Sequence, residues 1–152
     1  MRTRSPIQTA TMLAGIVFLL VGILGFVPGI TTHYSDLKFA GHDSDAKLLG
    51  LFNVSILHNI VHLLFGVAGV ALAKTWQSAK SYLLYGGLIY LVLFVYGAIW
   101  HGDTSANFVP VNGADNILHL GLGIGMIALG VVLGRETARQ DRAAPAGLNV
   151  GE

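Results

Sequence analysis

Four long apolar runs limit what this chain can fold into. They cover about residues 7–27, 50–73, 82–100 and 114–133. Each is long enough to cross a bilayer, which takes about 20 residues as helix. Only 11% of the 152 residues are charged, against about 25% in a soluble domain. The predicted fold class is therefore all-α, a bundle of four transmembrane helices filling residues 1–133. Residues 134–152 are polar and rich in small side chains, and read as a disordered cytoplasmic tail.

Two of the runs carry the same polar pattern. His58-Asn59-Ile60-Val61-His62-Leu63 leads on to Gly66 and Ala71-Leu72, and Asp115-Asn116-Ile117-Leu118-His119-Leu120 leads on to Gly123 and Ala128-Leu129. The spacing between the copies is 57 positions throughout, as from His58 to Asp115. A weaker match at 72 positions pairs Gly15 with Gly87, Phe18 with Tyr90 and Gly25 with Gly97. Two parallel two-helix repeats about an axis along the membrane normal would produce both spacings.

The first run follows Arg2 and Arg4 and ends at Pro28-Gly29. It is long and has no small-x-small cleavage site, so it reads as a retained helix and not a signal peptide. Residues 31–47 form a polar loop. The second helix begins between Leu48 and Val54, with its first turns above the bilayer or at its surface. Lys74 to Lys80 read as a tight basic turn, and residues 101–113 as a second polar loop. With both termini cytoplasmic, the inner segments hold Arg2, Arg4, Lys74, Lys80, Arg135, Arg139 and Arg142, and the outer loops hold only Lys38 and Lys47. Seven against two satisfies the positive-inside rule. The second and fourth helices then enter from the outer side.

Polar side chains inside such helices are costly and mark candidate sites. Ser55, His58, Asn59 and His62 share one face of the second helix, which continues as Gly66, Gly69 and Ala73. Asp115, Asn116 and His119 share one face of the fourth, which continues as Gly123, Met126 and Gly130. If the faces meet, His58, His62, Asp115 and His119 converge on a set suited to a divalent metal such as zinc, or to copper or iron. His62 and His119 at equal depth would also suit the axial positions of a haem. His101 or His33 would close such a site from the outer loops.

Structural duties compete with these readings. Asp115 follows Asn112-Gly113-Ala114 and stands where a helix cap belongs. Ser55, Asn59 and Asn116 read as polar packing residues, and a hydrogen bond across helices contributes roughly 0.5–2 kcal/mol. Gly121, Gly123 and Gly125 lie inside an apolar run with no preceding strand, so they are no phosphate loop. The chain has no cysteine, which excludes disulfides, thiolate metal sites and thiol nucleophiles. Its glutamates are Glu136 and Glu152, both in the tail, and Ser55 with His58 lacks an oxyanion hole. A net charge of +1 and no basic stripe argue against a nucleic-acid partner.

Three blocks together carry a resemblance. They are Gly22-Ile23-Leu24-Gly25-Phe26-Val27-Pro28-Gly29, the stretch from Leu49 to Leu63, and Ala106-Asn107-Phe108-Val109-Pro110-Val111-Asn112 with Ala114 to Gly121. Over roughly residues 7–133 the chain resembles a family of small four-helix bacterial membrane proteins known only as a domain of unknown function, mainly from high-GC Gram-positive bacteria. The resemblance implies four spans in the bacterial plasma membrane, and no activity, cofactor or site. The residues themselves lead to a non-enzymatic accessory or scaffolding protein of the lipid bilayer, with a membrane-protein partner or a homo-oligomer. The alternative is a metal- or haem-binding protein using His58, His62, Asp115 and His119. Proton-coupled movement of a small solute is a third reading.

Overall fold

The computed structural model describes residues 4–100 and 104–143, with side chains placed through Arg135. Four helices make up most of it. They are α1 (Pro6–Leu24), α2 (Ile56–Leu72), α3 (Trp76–Ile99) and α4 (Gly113–Ala143). Three of them are long and apolar enough to cross a membrane, namely α1, α3 and α4 as far as Arg135. The fourth, α2, has 17 residues, about 25 Å at 1.5 Å per residue. That lies at the short end of the range for a span.

The α2 boundary departs from hydropathy. Residues 50–55 are not helical. The 31–54 segment instead forms a small antiparallel sheet of β1 (Thr31–Thr32), β2 (Lys47–Leu48) and β3 (Phe52–Asn53), in that order. Thr31 pairs with Leu48, and Leu48 pairs in turn with Phe52. Leu49, Gly50 and Leu51 link β2 to β3, and the first two have φ of 53° and 70°, the positive values that tight hairpin turns demand. The apolar side chains that prolong the hydropathic run, Leu48 and Val54, are buried in this cap with Ala46, against Val21 and Leu24 of α1. α2 starts where Ser55 accepts the His58 N–H at 3.1 Å. The carbonyls of Lys38 and Phe39 take the N–H groups of Ile56 and Leu57.

Two other boundaries also shift. α3 begins at Trp76, capped by Thr75, so the turn read at Lys74–Lys80 is only a few residues long. α4 continues through residues 134–143, which were expected to be disordered. The rest of that tail, 144–152, lies outside the described residues.

The halves repeat in space as in sequence. A Cβ on Gly15 would lie 2.7 Å from the Val70 nitrogen and 2.9 Å from the Gly66 carbonyl oxygen. On Gly87 it would lie 3.0 Å from the Ile127 nitrogen and 2.8 Å from the Gly123 oxygen. These are the same contacts moved by 72 and 57 positions, and only glycine permits so close an approach of two backbones. Where the halves join, Phe18 and Tyr90 stack, with centroids 5.4 Å apart and planes 4° from parallel. They belong to a core with Ile7, Ala79, Tyr82, Leu83 and Met126. Outward faces are apolar, as at Leu64 and Ile117.

Candidate functional site

The helix caps decide where the polar faces point. Ser55 and Asn112 hold the same place in the repeat, and each side chain accepts from the backbone N–H three residues on, that of His58 or Asp115. In α4 the Asp115 carboxylate turns back to accept from the Asn112 N–H at 3.0 Å, closing a reciprocal cap. Its Oδ2 also accepts from Asn53 of β3 at 3.0 Å. His58 has no carboxylate to fold back, and its ring goes down into the bundle.

The three expected histidines do gather. His58 and His62, one turn apart on α2, stack with centroids 4.8 Å apart and share a hydrogen bond of 2.9 Å between their Nε2 atoms. His119 comes from α4, its ring 6.4 Å from that of His58. Two aromatic rings back them. Phe18 packs on His62 at 5.7 Å and Tyr90 on His119 at 5.5 Å. All three imidazoles are buried, and the Nδ1 atom of each is without a hydrogen-bond partner among the described residues.

Asp115 stands apart from this cluster, committed to the cap. Among the described residues, no group of three or more His, Asp or Glu side chains is arranged to hold a metal ion. The quartet His58, His62, Asp115 and His119 is thus a triad of imidazoles plus a capping carboxylate. Of the residues expected to close the site, His33 is exposed beside Asp45, at 3.9 Å, and His101 lies outside the described residues.

The polar packing residues divide. Ser55 is a helix cap and, among the described residues, hydrogen-bonds to no other helix. Asn59 is buried with its carboxamide against Gly25, where a Cβ would overlap it. Its Nδ2 has no partner among the described residues. Asn116 repeats this against Gly97, with its amide nitrogen 2.9 Å from the Phe94 carbonyl and its oxygen 3.2 Å from the Ala98 N–H. Sequence reasoning missed Tyr90 and Phe18 as site residues. The signal was present, because they match each other at the spacing of the repeat.

A cavity of about 210 Å³ opens against this cluster, walled by His58, His62, His119, Phe65, Tyr90 and Val109. An apolar cavity of about 150 Å³ accommodates a benzene molecule, so this one suits a single substituted ring and is too small for a porphyrin. Neutral imidazole is at once a donor and an acceptor. In the His58–His62 pair one ring gives its Nε2 proton and has a bare Nδ1, while the other carries its proton at Nδ1. The cavity surface is almost wholly apolar and the three Nδ1 atoms lie behind it, so an imidazole has to turn before this wall can hydrogen-bond an uncharged ligand.

No curated protein and no solved structure matches the chain significantly. A family model described as a domain of unknown function, DUF4383, matches residues 8–132. That match takes in all four helical segments and the sheet, and the chain belongs to this family.

Proposed function

We propose that this is a non-enzymatic integral protein of the bacterial plasma membrane that holds a small, uncharged ligand among His58, His62 and His119. All four helices cross the bilayer, with both termini cytoplasmic and the sheet on the outer surface. The positive-inside distribution supports this orientation. The observation that carries the binding reading is the set of three imidazoles, each with an unpaired Nδ1, walling a cavity in a hydrocarbon-like bundle. An unsatisfied buried polar group costs about 1–3 kcal/mol. Packing alone would be served better by leucine or phenylalanine. His119 makes no hydrogen bond among the described residues, so its ring can turn to meet a ligand.

The test is long-range proton–nitrogen NMR of histidine-labelled protein in lipid nanodiscs. Adding a lipid-soluble extract of the host membrane is expected to shift the ring nitrogens of His119 first. If all three histidines keep their resonances, the binding reading falls. Equimolar zinc in place of the extract is expected to leave them unchanged, because among the described residues no three donors are arranged to hold a metal ion.

A further inference from the structure

A second hollow adjoins the histidine cavity. Phe65 and Ile89 line both, and the second, of about 400 Å³, runs between α2 and α3 past Ala68 and Gly86 to Leu72 and Ser81. From His58 to Leu72, α2 rises about 21 Å, most of the roughly 30 Å hydrocarbon core. Its outer rim is open. Leu64 is 63% exposed and Tyr85 69%. Among the described residues, no Lys, Arg, Asp or Glu lines either space.

We propose that the ligand is a lipid-soluble quinone, entering sideways between α2 and α3, its ring at the histidines and its tail in the α2/α3 groove. The inference rests on the binding reading above and adds the ligand class and the route. Three features select the class. The cavity volume fits one substituted ring. Phe65, Tyr90 and the imidazoles give flat faces against which such a ring stacks. A quinone carbonyl accepts the N–H that His119 offers once its ring turns, whereas a charged head group would find no counter-ion among the described residues. The groove supplies what a free aromatic would not use, an apolar channel for a single chain.

The test uses the full chain in nanodiscs, histidine-labelled, titrated with a decyl-substituted benzoquinone and, separately, with decanol as a matched chain without the ring. The expected result is a saturable shift of His119 with the quinone and none with decanol. Ala68→Trp, which fills the groove ten residues from His58, should raise the half-saturating concentration at least tenfold while leaving the unliganded histidine spectrum unchanged. Leu64→Trp, on the exposed rim, is the second plug if the first does not fold. Equal responses to quinone and decanol would overturn the ligand class, and plugs without effect would overturn the route. If the host extract shifts His119 and the quinone does not, the quinone assignment fails while the cavity reading stands. If neither shifts it, both fail.

Discussion

His58 and Asp115 are the third residues of α2 and α4 and hold the same place in the repeat, yet one chemical difference sends them to opposite tasks. A carboxylate can reach back to its own cap, and an imidazole cannot do so in that geometry. Asp115 accepts two backbone N–H groups, from Asn112 and from Asn53, and so ties the helix start to the sheet. Asp115→Ala is therefore expected to lower stability by roughly 1–3 kcal/mol, through loss of the cap and two stranded donors. Asp115→Asn, which keeps an acceptor oxygen, should lose less than half as much. Denaturation in detergent, followed by circular dichroism, measures both. The histidine spectrum should stay unchanged in both variants. A change there would mean that Asp115 belongs to the cluster after all. Spacing alone could not tell a cap from a ligand, because a residue that begins a helix and one that faces its interior share the same periodicity.

Elements were legible in number and less so in extent. Hydropathy counted four helices because each has to present apolar side chains on its outward faces. It misplaced the start of α2, since Leu48, Leu51, Phe52 and Val54 are as apolar as a span. Strands of two residues leave no alternation to detect, and their pairing with Thr31 is tertiary. It also misplaced the ends of α3 and α4, where polar residues such as Gln77, Ser78 and Arg135 continue the helix beyond the apolar run. The hairpin carries a mark of its own. Leu49 has a positive φ, which costs an ordinary residue about 1–2 kcal/mol. Leu49→Gly should thus raise the melting temperature, by up to about 1 kcal/mol in stability terms once the extra freedom of the unfolded chain is deducted. Leu49→Val, β-branched at the same φ, should lower it. A thermal melt of the pair decides by sign, and a fall for glycine would show that the exposed leucine side chain contributes more than the backbone strain costs.

At the scale of the molecule, the repeat was the most legible feature, because glycines that let two backbones touch have to recur together. Gly15 with Gly66 and Gly87 with Gly123 are such pairs, and the Phe18–Tyr90 stack marks where the halves meet. In the proposed topology the parallel repeats share a direction, so that α1 and α3 cross one way and α2 and α4 the other. The sheet then lies on one side of the membrane together with the start of α4, to which Asn53 and Asn112 bind it. The turn between α2 and α3 lies on the opposite side. The positive-inside rule then puts Lys74 and Lys80 inside in the proposed topology. Because the chain has no cysteine, single cysteines can report this without a background. Phe39→Cys, exposed in the outer loop, should react in intact cells with a membrane-impermeant maleimide. Gln77→Cys, exposed in the first turn of α3, should react only after the cells are opened. The reverse pattern would place the histidine cavity in the inner leaflet. Labelling of both sites in intact cells would contradict a fixed four-span topology.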